Sequence, residues 1–233
     1  MRVHRFMALL AAAALFLTAC TGPSAEEDIY DHLEEAVKQE DTFREQQQPM
    51  VDLETKEQEL YDQIINLDMD QFDEIKKKSQ EAASLVEKRR EKLELEKESI
   101  EAAKEEFDEI KPIVEDLGEE KQDVKEKAQE LIDVMDKRYN AYQDLYKAYD
   151  KALTLDAELY EMMQNKDLKE ENLQSQIEKI NESYNQVIEN NESFNEYTEQ
   201  YNKLKKELYN TMDLEVTYEE TNDEEGDSSE EGS

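Results

Sequence analysis

The chain has no tryptophan, and its 233 residues include one cysteine, two histidines, three prolines and four glycines. A lone cysteine, Cys20, excludes a disulfide framework and thiolate metal clusters. Gly22, Gly118, Gly226 and Gly232 are isolated from one another, so no glycine-rich phosphate loop exists. His4 falls in the N-terminal leader. His32 has no glutamate three residues before it, which excludes the Glu-x-x-His pair of di-iron bundles, and it is expected at the surface. An EF-hand register on Gly226 places Thr221 first and Gly232 twelfth, so both obligatory acidic ligands are missing. No metal, cofactor or catalytic site is expected.

Basic residues are also scarce: 28 Lys and Arg stand against 63 Asp and Glu, for a net charge of −35. Such a surface repels nucleic acid and anionic lipid head groups, and neither is expected as a partner through bulk charge. Only 37% of residues are hydrophobic, so the core is a narrow seam between helices. With so few helix breakers, long helices are the composition's message.

The only continuous apolar run lies at the start. Arg2 and Arg5 precede a stretch from Phe6 to Leu17 of about a dozen residues, shorter than the roughly 20 a permanent membrane helix needs. Leu17, Thr18 and Ala19 before Cys20 form a lipobox. The thiol can take a diacylglyceryl group, and the small side chains suit cleavage between Ala19 and Cys20. An ordinary secretory signal or an uncleaved anchor would leave the single cysteine unexplained. The expected organisation is a signal peptide over 1–19, a lipidated tether over 20–23, a helical bundle over 24–213 and a disordered acidic tail over 214–233. Two acyl chains give stable attachment to a membrane.

Ser24 with Glu27 reads as a capping box that starts a first helix, which Pro49 should interrupt before it resumes. After a turn at Asn66-Leu67-Asp68 comes a column at +3, +4 spacing: Phe72, Ile75, Ser79, Ala82, Val86, Arg89, Leu93, Glu96, Ile100, Ala103, Phe107, Ile110, Val114, Leu117. Pro112 predicts a kink in the last turns of that helix, and Gly118 a left-handed stop. A third helix from Glu119 to Gln164 carries Ile132, Tyr139, Tyr146, Leu153 and Tyr160 every seven residues. Ala128, Met135, Tyr142, Tyr149 and Met163 lie on the next column, a face wide enough for two neighbours. Asp167 with Glu170 suggests a capping box for a last helix reaching Met212.

The fold class is therefore all-α: an elongated antiparallel bundle or coiled coil, spectrin-like, with three to four long passes. Four passes return the C-terminal end to the membrane side. A coiled-coil hairpin that dimerises is the alternative, so a homo-oligomer is compatible with the pattern. Polar residues at core spacing (Ser79, Arg89, Glu96, Asn191, Lys205) set register, face a partner chain or, in the simpler reading, snorkel at the bundle edge.

Tyr139, Tyr142, Tyr146 and Tyr149 crowd one helix. Such a row can stack on sugar rings or contact a partner, although tyrosine at helical spacing is more often core with its hydroxyl at the rim.

The lipobox, the acidic helix close behind Cys20, and the Tyr- and Glu-rich helices ending in an acidic tail together resemble the YkyA-type cell-wall-binding lipoproteins of Gram-positive bacteria. The resemblance implies an extracytoplasmic location and association with the wall, and carries no reaction or site residues. The expected function is a non-enzymatic, membrane-anchored envelope protein that binds wall material such as peptidoglycan. The alternative is an adaptor or regulatory subunit docking a basic membrane protein. Gram-positive walls carry anionic polymers, so binding must be a localised groove contact, be bridged by divalent cations, or pass through another protein.

Overall fold

The computed structural model describes residues 24–214, and every long element in that span is helical. The first pass consists of α1 (Ala25–Gln39) and α2 (Asp41–Ile65). The second is α3 (Phe72–Asp108) with its short continuation α4 (Ile110–Glu115). The third and fourth are α5 (Gln122–Met163) and α6 (Glu170–Thr211). At 42 residues each, α5 and α6 are about 60 Å long. The first pass packs on α3, α3 on α5, and α5 on α6, so α5 has the two neighbours its broad apolar face predicts.

The column read along α3 and α4 is the seam of this packing. From Ile75 to Leu117 each of its members is buried, and Phe72 is half-buried. Three apolar clusters follow one another along the bundle. One joins Leu33, Phe107, Leu131 and Leu208 near the chain ends; a middle one joins Ile100, Tyr142 and Phe194; a third joins Ile64, Val86, Leu153 and Met163. Ala25 and Leu214 both pack on the first cluster, so the described chain begins and ends at the same tip.

The capping box at Ser24 is present in both halves. The Glu27 amide donates to Ser24 Oγ at 3.2 Å, and the Ser24 amide donates to Glu27 Oε2 at 2.6 Å. Ser24→Ala should therefore cost about 1 kcal/mol, seen as a lower urea midpoint with faster amide exchange confined to the first turn of α1. The second box is absent: Lys169 precedes α6 without a side-chain cap, and the Asp167 amide donates to Asn165 Oδ1.

Of the three expected breaks, the kink ahead of Pro112 is present and the other two differ. α2 runs through Pro49, and the first pass bends at Glu40 instead. There the buried Ser99 hydroxyl of α3 accepts from the Phe43 amide at 3.1 Å and donates to the Gln39 carbonyl. Those two groups would otherwise bond each other in the helix, so a side chain inserted into the ladder opens the kink. The break before Pro112 falls at Glu109, because the proline ring removes a donor and clashes with the carbonyl four residues back, that of Asp108. Gly118 is extended, with φ −68° and ψ 169°, rather than left-handed.

Candidate functional site

The four passes do not close into a complete ring. Near the chain ends the first and last passes are bridged by long side chains: the Tyr30 and Tyr209 rings meet tilted at 56° with centroids 5.1 Å apart, and the Tyr209 hydroxyl donates to Glu34 at 2.7 Å. Farther along, no comparable backbone packing joins α2 to α6, and a cleft opens between them. It has two compartments, of about 430 Å³ toward the far tip and about 270 Å³ at mid-length, with Glu54 lining both.

Arg89 of α3 is the floor of the larger compartment, with only 1% of its surface exposed. Its Nη1 donates to Glu57 of α2 at 2.6 Å and lies 3.5 Å from Asp156 of α5. Its Nη2 donates to the hydroxyls of Tyr149 at 2.8 Å and Tyr184 at 2.9 Å. The Tyr184 hydroxyl donates in turn to Asp156 at 2.6 Å. Burial works against the Arg89 cation, but Tyr149, Tyr184 and Glu57 together hold it protonated more firmly than usual. Burial pushes the Glu57 and Asp156 carboxyls up, with Arg89 opposing the rise in both. The network ties side chains from all four passes into a single polar knot.

Converging buried carboxylates are also what general acid–base chemistry uses. Here each is engaged by Arg89, Tyr160 or Tyr184, and no serine, cysteine or histidine lines the compartment. The arrangement is one that holds helices together and presents polar groups, with Gln58, Asn181 and Tyr61 at its rim.

The smaller compartment contains the tyrosine row in part. Tyr142, Tyr146 and Tyr149 line it, together with Phe43, Met50 and Asn191. Tyr139 is not among its lining residues; its ring lies under Lys104 at 5.6 Å on the α3 side. Tyr142 is in the core, only 1% exposed, in edge contact with Phe43 and tilted against Phe194. Tyr146 reaches the rim, where its hydroxyl donates to Glu94. Burial, followed by that carboxylate, pushes its phenol up to about 12. Glu96 of α3 lies at the base, 7% exposed, accepting from the Gln47 amide at 2.9 Å. Burial alone pushes its carboxyl up to about 7.

Snorkelling is thus corrected for three of the five polar core-spaced residues. Ser79, Arg89 and Glu96 are buried, because neighbouring passes cover α3 on both sides; Asn191 is exposed and Lys205 half-buried against Glu34. His32 is not simply at the surface: its Nδ1 lies 2.7 Å from Glu106 Oε1, linking α1 to α3. Leu17, Thr18, Ala19 and Cys20 lie outside the described residues, as does the acidic tail from 215 onward. Sequence reasoning missed Glu57 and Asp156, yet both had a signal. Glu57 sits seven residues from Met50 and from Ile64, and Asp156 seven from Tyr149 and from Met163. Each is a polar gap in an apolar column.

The YkyA family, described as "Putative cell-wall binding lipoprotein", matches residues 24–211. The chain belongs to the YkyA family. It is 40% identical over 205 residues to the uncharacterized lipoprotein YkyA of Bacillus subtilis (strain 168), covering 88% of this chain and 91% of that protein. A crystal structure of a conserved protein of unknown function from Staphylococcus aureus shares the fold, with TM-score 0.66 over 82% of this chain and 98% of that one at 15% identity. YkyA membership makes the chain a member of a lipoprotein family, which points to a membrane-anchored, extracytoplasmic location, and the family description names a binding protein rather than an enzyme class.

Proposed function

We propose that this YkyA-family chain is a non-enzymatic envelope protein, anchored through lipid on Cys20 to the outer face of the cytoplasmic membrane. It binds wall material through the cleft between its first and last passes. The observation that carries this reading is the cleft itself: an open seam along a slender bundle, lined by Tyr61, Tyr146, Tyr149 and Tyr184 beside amide and carboxylate groups. Aromatic faces beside hydrogen-bonding groups suit an amphipathic ligand such as a peptidoglycan strand. The net charge of −35 argues against broad adhesion to anionic polymers, so a local site is what binding requires. Both described ends at one tip leave the long axis free to project from the membrane into the wall space.

The test is co-sedimentation of the detergent-solubilised lipoprotein with purified wall, with and without Mg²⁺. The protein should pellet with wall in either buffer, and Tyr146→Ala should weaken retention by about two- to tenfold, the worth of one aromatic contact. An acidic rod also offers a surface to a basic partner. If the protein never pellets with wall while crosslinking in intact cells captures one membrane protein, the adaptor reading replaces this one.

A further inference from the structure

Glu96 differs from the other buried carboxylates that link the passes. Glu57 and Asp156 share Arg89, and Glu40 takes two bonds from Arg138, at 2.6 and 2.9 Å. Glu96 has the neutral Gln47 amide and no ion pair among the described residues. Beside it the Tyr142 hydroxyl is fully buried without a hydrogen-bond partner. Buried polar groups are normally satisfied, so an unpaired phenol and a carboxylate with no ion pair lining one compartment call for an explanation. Around them stand the rings of Phe43, Tyr142, Tyr146 and Tyr149. Val51 on α2 and Ile188 on α6, 54% and 56% exposed, line the compartment from opposite sides of the cleft.

Each class of ligand can be weighed against that chemistry. An anion meets Glu96 and Glu54. A purely apolar group leaves Glu96 without a counter-charge. An ammonium group gains a carboxylate, a phenol oxygen and aromatic faces at once. The space, about 270 Å³, holds roughly nine water-sized groups at about 30 Å³ each, ample for an aminobutyl chain. We propose that the mid-length compartment binds a primary ammonium on a short aliphatic stem, as in a lysine-like side chain, with Glu96 as counter-ion. The Tyr142 oxygen accepts a second N–H, and Met50, Leu93 and the two exposed lips cover the stem. The inference deepens the wall-binding reading, and rests on it only for the source of the amine, a free side-chain amine of wall peptide.

The probe is n-butylammonium chloride added to the detergent-solubilised lipoprotein at moderate salt, read by NMR of isotope-labelled tyrosine rings. Butylammonium should shift Tyr142 and Tyr146 saturably, while n-butanol and butyrate should not. Glu96→Gln should weaken the response at least tenfold and Tyr142→Phe several-fold. Glu87→Gln, which removes an exposed carboxylate elsewhere on α3, should leave it unchanged and so control for diffuse cation attraction. An equal response to butanol, or an undiminished one in Glu96→Gln, overturns the proposal. Two further arms use native wall and wall whose amines have been acetylated. Loss of pelleting on acetylation and in Glu96→Gln identifies wall peptide as the amine source. A Glu96-dependent butylammonium response without any wall pelleting keeps the pocket and removes the wall reading. Wall pelleting indifferent to both changes, with no butylammonium response, keeps the wall reading and removes the pocket.

Discussion

Arg89→Met should destabilise the protein by about 3–5 kcal/mol, the cost of removing one partner from a buried ion network. The guanidinium is the shared donor to Glu57, Tyr149 and Tyr184 and pairs with Asp156, so its loss strands groups on three other helices. Domains of this kind are stable by only about 5–15 kcal/mol, so the shift in urea midpoint should be large. A second variant separates the network's net worth from the penalty of breaking it. In Glu57→Leu/Arg89→Met/Asp156→Leu no buried charge is left unpaired, and most of the lost stability should return. If the single and triple variants unfold at the same midpoint, the cost lies in packing around Arg89 and not in stranded charge. Arg89→Lys should behave more like methionine than like wild type, since a single ammonium cannot reproduce the planar fork that reaches all its acceptors.

Glu96→Gln should do the opposite and stabilise the protein, with an effect that depends on pH. A carboxyl whose folded-state pKa is above its unfolded value binds its proton more tightly when folded. Its ionisation therefore removes stability as pH rises from the ordinary value of 4.5 through about 7. Below that window wild type and variant should unfold at similar urea concentrations. Above it the glutamine variant should gain on the order of 2–3 kcal/mol, because it keeps a polar partner for Gln47 and buries no charge. The measurement is the difference in unfolding midpoint between the two proteins at pH 4 and pH 8, so that titration of the many surface carboxylates cancels. A difference that is the same at both pH values would show that Glu96 is not desolvated. A carboxylate that costs stability where it stands is what a binding group looks like in a stability–function trade-off.

Arg89 and Glu96 stand seven residues apart in one column of α3, with Leu93 between them, and residue spacing alone makes that column legible. Ser79, Arg89 and Glu96 stand in a run of apolar residues at unbroken helical spacing. Assigning them to the rim fails because a single helix pattern shows which face is inward but not how many neighbours cover it. The kink at Glu40 is illegible in the sequence for a different reason. Its cause, Ser99, is 56 residues from Phe43 in the chain, and nothing local distinguishes it from any other helical serine. Pro49 carries the local signal, and the helix runs through it.

The tyrosine row divides along the same line. Seven-residue spacing puts Tyr142 and Tyr149 on one column and Tyr139 and Tyr146 on its neighbour. Only the placement of α2 and α6 makes Tyr142, Tyr146 and Tyr149 line a compartment and leaves Tyr139 out of it.

By itself the sequence determined the all-helical class, an elongated bundle of three to four passes, the capping box at Ser24 and the helical column along α3 and α4. These follow from residue spacing and backbone chemistry within one helix or turn. Only the tertiary structure decided that a cleft opens between α2 and α6, that Glu57, Arg89, Asp156 and Tyr184 meet, and that Glu96 is buried without an ion pair among the described residues. Those outcomes depend on which faces of different helices come together, and a carboxylate learns its counter-ion only when the neighbouring helix is in place.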